Sequence, residues 1–142
     1  MRIADIMVPH VVSIEPDESA ALAARLLARH NIGLLPVCSA KGVLQGVVTD
    51  RDLILRGTAA GRDLSACPVR RVMTRHPLTV CPEDDPRRAA QLMAAHQVRR
   101  LPVLSDGLVV GMLSLSDLAR CGRYEMELSK ALTDISDPIR HL

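Results

Sequence analysis

The feature that most constrains this chain is that it says the same thing twice. Met7-Val8-Pro9-His10-Val11-Val12-Ser13-Ile14-Glu15-Pro16 aligns with Met73-Thr74-Arg75-His76-Pro77-Leu78-Thr79-Val80-Cys81-Pro82 at an offset of 66. The match runs on through Ala23-Ala24-Arg25-Leu26 against Ala89-Ala90-Gln91-Leu92, His30 against His96, and Pro36-Val37 against Pro102-Val103. One residue is lost near Lys41, and Gly42, Gly46, Asp52, Leu53 and Gly57 then match Gly107, Gly111, Asp117, Leu118 and Gly122 at an offset of 65. An ordered series of identities over about fifty residues records a duplication, so the fold is built from two copies of one unit. The repeats are read as residues 1–57 and 70–122, joined by a linker at 58–69 and followed by a tail at 123–142.

Each repeat carries the same element signals. An extended segment (Val11 to Ile14; Leu78 to Val80) stops at Pro16 or Pro82. Ser19 and Asp85 stand at matching N-cap positions, and Pro86 suits the first position of a helix. Leu22, Ala23, Leu26, Leu27 and His30 fall on one helical face, as do Ala89, Leu92, Met93 and His96. A short apolar strand follows (Leu34 to Val37; Leu101 to Leu104). A Gly-containing turn then leads to a second strand (Val43 to Thr49; Leu108 to Ser114). A short helix starts at Asp50 or Leu115. The order is strand, helix, strand, strand, helix. One unit of ~55 residues is marginal alone, and pairing lets two units bury their sheet faces. In the tail, Tyr124, Leu128, Leu132 and Ile135 form an amphipathic stripe ended by Pro138. That helix either covers its own repeat or packs on a partner, and a contribution to a dimer is the favoured expectation.

Composition narrows the function. The chain of 142 residues is 48% hydrophobic but has no Trp, no Phe and one Tyr. Its core must therefore be aliphatic. Stacking platforms for single-stranded nucleic acid or RNA are ruled out. A net charge of +2 is too balanced for a general DNA or membrane-surface binder. No apolar run is long enough to span a bilayer, and the first residues do not read as a signal peptide. A cytoplasmic location is expected, with the four cysteines reduced. No C-x-x-C pair occurs among them, so the usual zinc and redox spacings are missing.

The repeated motif is Gly-x-x-Thr/Ser-x-x-Asp, as Gly46/Thr49/Asp52 and Gly111/Ser114/Asp117. It has two readings. A glycine allows close backbone approach, a hydroxyl at a helix N-terminus suits a phosphate, and an Asp can accept from ribose hydroxyls. Equally, Thr/Ser-x-x-Asp is a capping box. Both roles can sit in one residue. Asp50-Arg51-Asp52 is not a catalytic constellation, since no Ser-His-Asp order, P-loop or HExxH motif accompanies it. Cys38 reads as a buried thiol, and His30 and His96 as helix-end residues.

With Asp5-Ile6-Met7, Ile32-Gly33-Leu34-Leu35-Pro36-Val37 and Gly46-Val47-Val48-Thr49-Asp50-Arg51-Asp52-Leu53 in the first half, and Val98-Arg99-Arg100-Leu101-Pro102-Val103 and Gly111-Met112-Leu113-Ser114-Leu115-Ser116-Asp117-Leu118 in the second, the chain resembles a tandem pair of cystathionine β-synthase (CBS) domains, a Bateman module. The resemblance implies an α+β fold of two pseudo-symmetric β-α-β-β-α repeats packed through their sheets, plus the C-terminal helix. It implies a non-catalytic regulatory module that needs no cofactor. Such a module takes an adenosyl ligand (AMP, ADP, ATP or S-adenosylmethionine) in clefts between the repeats, dimerises with a second copy, and signals to an effector protein. Neither nucleic acid nor membrane is an expected partner. Carried over residue by residue, one cleft would use Met112, Ser114, Ser116 and Asp117 with backbone near Val12, Ile32 and Gly33. The other would use Val47, Thr49, Arg51 and Asp52 with backbone near Leu78, Val98 and Arg99. Arg99 and Arg100 stand where related modules place cations toward phosphates, whereas the first half has Gly33 and Leu34 there. Two other readings remain: a CBS module that binds no nucleotide, and a metal or redox sensor using its Cys and His.

Overall fold

The computed structural model describes residues 1–137. The expected stop at Pro138 therefore lies outside the described residues. The elements are α1 (Ala20–His30), β1 (Leu34–Cys38), β2 (Leu44–Thr49), α2 (Asp50–Asp52) continued by a π-helical turn (Leu53–Gly57), β3 (Thr74–Arg75), α3 (Pro86–His96), β4 (Arg100–Ser105), β5 (Leu108–Ser114), α4 (Leu115–Cys121) and α5 (Glu125–Ile135). The α+β class and the repeated order of elements are as the sequence implies.

Local chemistry accounts for the helix ends. The Ser19 hydroxyl accepts the Leu22 N–H at 3.1 Å, and the Asp85 carboxylate accepts the Arg87 N–H at 2.9 Å. Pro86 occupies the first position of α3, where its missing N–H costs nothing. His30 and His96 are the last residues of α1 and α3. Both helices close on a left-handed residue, Asn31 (φ 51°) and Gln97 (φ 55°). Asn takes that conformation readily, and Gln does not. Gln97 is held there by its side chain, whose Nε2 donates to the Asp134 carbonyl at 2.7 Å.

The chain forms two compact units. Among the described residues, one comprises 12–77 with 107–109, the other 1–11, 78–106 and 110–137. The opening segment of each repeat thus packs with the body of the other repeat, through the same bonds in both units. Ile3 N–H donates to Asp84 O at 2.9 Å and Ala4 N–H to Pro82 O at 2.9 Å; Val69 N–H donates to Glu18 O at 2.8 Å and Arg70 N–H to Pro16 O at 3.0 Å. Ile3 is buried in the core with Met93, Leu101, Val103, Leu113 and Leu118. Val69 and Val72 are buried in the other core with Ile14, Leu27, Leu35, Val37 and Val48. Both cores are aliphatic, as the composition demands, except for Tyr124 in the first.

Each opening segment also supplies a sheet edge. β3 pairs antiparallel with β2 (Val47 opposite Thr74), and Val8 bridges Met112 of β5 in the same sense. The three strands β1-β2-β3 form one sheet, and β4 with β5 forms another. The extended segments read as first strands are shorter than expected. Each makes a single parallel bridge, Ile14 to Val37 and Val80 to Val103. Pro9 and Pro16 flank one, Pro77 and Pro82 the other, and a proline has no N–H to extend a ladder.

The tail takes the first of the two expected roles and covers its own repeat. α5 lies on α3 of its own unit, where Tyr124, Ala131 and Ile135 are buried. Arg87 on α3 pairs with Glu127 at 3.6 Å, and its guanidinium sits 5.7 Å from the Tyr124 ring. Of the expected stripe, Tyr124, Leu128 and Ile135 face the core, whereas Leu132 is exposed and Ala131 is buried in its place.

Candidate functional site

Both copies of the motif are capping boxes. At α2, the Thr49 hydroxyl accepts the Asp52 N–H at 3.1 Å, and the Asp52 carboxylate accepts the Thr49 N–H at 3.1 Å. At α4, the Ser114 hydroxyl accepts the Asp117 N–H at 3.1 Å, and Asp117 accepts the Ser114 N–H at 2.8 Å. The second oxygen of Asp117 is bonded to Arg120, and the residue is buried. Asp52 also accepts from the Thr74 hydroxyl at 3.3 Å and lies 4.0 Å from the Arg56 guanidinium. Each hydroxyl keeps its own proton to donate, but both carboxylates already serve the local fold.

The motif glycines answer to the chain itself. A Cβ on Gly46 would stand 2.6 Å from the Thr74 carbonyl oxygen, and one on Gly111 would meet Met7 and stand 3.1 Å from the Val8 oxygen. The close backbone approach is that of the opening segment of the neighbouring repeat. The expectation that these glycines admit a ligand finds a different cause here.

The remaining residues are distributed as follows. Val47 is buried in β2. Val12 and Ile32 pack on the core of their unit, and Gly33 is half-buried just before β1. Arg51 is exposed on α2. In the other unit, Leu78 and Val98 pack on the core, and Met112 exchanges two backbone bonds of 2.9 Å with Val8. The two expected ligand sets each draw on both units.

Within one unit, the structure brings together four residues that the sequence assigned to different sets. Arg99, Arg100, Ser114 and Ser116 line one cavity of about 240 Å³, with Leu128 and Leu132 of α5 as apolar wall. The cause is a backbone bond, since the Leu115 N–H at the start of α4 donates to the Arg99 carbonyl at 2.9 Å. Two arginines and two serines thus line one cavity beside the start of α4, and these residue types suit an oxyanion. The leucines from the tail were missed, because nothing in the repeat pattern ties the tail to this site.

Cys38 and Cys67 are buried, Cys81 is exposed and Cys121 is half-buried, all with free thiols. Burial pushes the Cys38 thiol up from its ordinary value, opposed by a weaker hydrogen bond with Ser13. Among the described residues, no group of three His, Cys, Asp or Glu is placed to hold a metal ion. No helix among them is long and apolar enough to cross a membrane.

The sequence profile of the CBS domain matches residues 3–57 and again 69–123. The chain belongs to the CBS-domain family. It is a tandem CBS pair, a module of regulatory type. It is 41% identical over 132 residues to the CBS domain-containing protein YhcV of Bacillus subtilis, covering 93% of both chains. Among solved structures it resembles Hypoxic Response Protein I with two coordinated zinc ions (TM-score 0.79, 32% identity, 84% of this chain and 98% of that one). It also resembles CBSX2 in complex with AMP (TM-score 0.76, 29% identity, 88% and 98%). A third is the CBS pair of MJ0100 in complex with 5-methylthioadenosine and S-adenosyl-L-methionine (TM-score 0.76, 25% identity, 88% and 98%).

Proposed function

We propose that this CBS pair is a non-catalytic sensor of an adenosyl ligand, and that it passes the bound state to an effector protein by contact. The observation that carries the reading is the convergence of Arg99, Arg100, Ser114 and Ser116 on one cavity at the start of α4. Guanidiniums bind phosphate bidentately, and the capped hydroxyls still have a proton to give. The AMP complex of CBSX2 and the S-adenosylmethionine complex of MJ0100 support the ligand class. The adenine would rest among aliphatic side chains, because the repeats contain no aromatic ring. The sensor acts as a homodimer, and its ligand shifts the output only through different affinities for two states.

The test is thermal unfolding with AMP, ATP and S-adenosylmethionine. A ligand that binds only the folded state raises the midpoint, by about 2.7 kcal/mol of stabilisation at one hundred times Kd. Arg99→Ala with Arg100→Ala should reduce the shift with AMP and spare that with S-adenosylmethionine, which has no phosphate. No shift with any of the three at millimolar concentration refutes the reading. The second reading, a CBS pair without nucleotide, is favoured by one observation: capping alone accounts for both motif carboxylates.

A further inference from the structure

We propose that the cavity walled by Arg56, Arg62, Arg70, Arg71 and Arg75 is a separate site for a linear oligophosphate carrying three or more negative charges. Its volume is about 710 Å³, and with Met73 these five arginines are its described lining. No acid lines it among the described residues. Arg56 donates to the Met73 carbonyl at 2.9 Å and lies 4.0 Å from Asp52, and Arg70 lies 3.5 Å from Asp17. Arg62, Arg71 and Arg75 have no acidic partner among the described residues, and all three are exposed. Asp63 stands on the wall of an adjoining hollow shared with Arg62, Arg70 and Arg71. Its carboxylate is turned to Ser65 instead, accepting from the hydroxyl at 2.7 Å and the N–H at 3.0 Å. Like charges gathered on one hollow repel, and nothing in this wall offsets the last three.

The fold does not require these arginines. The repeat equivalents of Arg56, Arg70, Arg71 and Arg75 are Cys121, Ala4, Asp5 and Pro9. Ala4 and Asp5 carry the same backbone bonds as Arg70 and Arg71, and none of the four equivalent positions holds a cation. Arg62 lies in the linker, which has no counterpart. The cluster is therefore specific to one unit, as a site would be and a scaffold would not. Guanidinium forks match phosphate oxygens, and three unpartnered cations match three or more charges on one small ligand. The cations converge on a hollow and do not form a stripe, which favours a small anion over a nucleic-acid backbone.

Inorganic tripolyphosphate is the probe, titrated calorimetrically into the full chain, with orthophosphate, ATP, AMP and a DNA duplex as comparison ligands. Arg71→Ala with Arg75→Ala tests the site, and Arg25→Ala with Arg29→Ala on the exposed side of α1 is the charge-matched control. Tripolyphosphate should bind once per chain, far more tightly than orthophosphate. Loss of two charge-assisted contacts should weaken it about tenfold or more in the first variant. The control should bind as the wild type does. ATP that competes with tripolyphosphate identifies a nucleoside triphosphate as the source; ATP that does not compete identifies a nucleotide-free chain. The proposal is overturned by no binding of tripolyphosphate, by an equal loss in both variants, or by tighter binding of the duplex. The AMP-induced shift should survive Arg71→Ala with Arg75→Ala, so failure here and failure of the adenosyl reading are told apart. Far-ultraviolet circular dichroism checks that both variants fold, as expected for exposed side chains.

Discussion

Asp117→Ala should cost about 2–3 kcal/mol without any ligand present. Asp117 is only 5% exposed. Its carboxylate takes the Ser114 N–H at 2.8 Å and an Arg120 guanidinium on the other oxygen. Truncation leaves the Ser114 N–H without its acceptor at the head of α4. A lost hydrogen bond to a charged group costs about 1.5–3 kcal/mol. The Arg120 side chain is 68% exposed, so its released charge returns to water and adds at most about 1 kcal/mol. For a chain of this length about 4 °C accompanies each kcal/mol, so the midpoint should fall by roughly 8–12 °C. Asp117→Asn keeps a carbonyl oxygen for the Ser114 N–H and should cost under about 1 kcal/mol. Urea unfolding of the three proteins in nucleotide-free buffer measures both differences. If Asp117→Ala unfolds with the wild type, the capping box contributes nothing and the reasoning fails. If Asp117→Asn costs as much as Asp117→Ala, the charge on Arg120 matters and the cap does not. The Asn variant is then the better probe of ribose contacts, because it separates ligand loss from a broken helix start.

Other outcomes follow from single observations. Gly46→Ala should destabilise by about 1–3 kcal/mol in urea unfolding, because its Cβ meets a backbone carbonyl that cannot swing aside; a neutral result would mean that β3 can leave β2 freely. Asp63 is held below the ordinary aspartate range, first by the Ser65 hydroxyl and then by the Ser65 N–H. Its folded value is depressed, so what it adds to stability is present above the unfolded value and lost as pH falls through the folded one. A carbon-detected titration should place its midpoint below that of Asp63 in Ser65→Ala, and equal midpoints would contradict the bond. Burial raises the Cys38 thiol, so at pH 8 iodoacetamide should modify exposed Cys81 well before Cys38, read by peptide mass. Equal rates would show that β1 opens readily.

Some of the candidate site was legible and some was not. Ser19, Asp85, Thr49 and Ser114 announce helix starts because capping is local, decided within three residues. The partners of Arg99 were not legible. Its place beside Ser114 and Ser116 comes from a long-range bond, because the carbonyl that receives the Leu115 N–H is its own. Gln97 gives no sign that it will adopt a left-handed conformation, since the bond that holds it comes from Asp134, 37 residues away. The arginine-lined cavity was equally hidden: its members are spread from Arg56 to Arg75 across a turn, a linker and a strand.

The sequence by itself determined the duplication, the aliphatic cores, the helix caps and the order of elements in each repeat. Those depend on spacing, side-chain type and near neighbours, which a linear text records. Tertiary structure alone decided which repeat each opening segment joins. Ile3, Ile6 and Met7 present the same apolar pattern as Val69, Val72 and Met73. By pattern, either segment fits either body, because burial rewards apolar area without regard to where in the chain it comes from. The path of the backbone chose: Met7 packs against Gly111 and Met73 against Gly46.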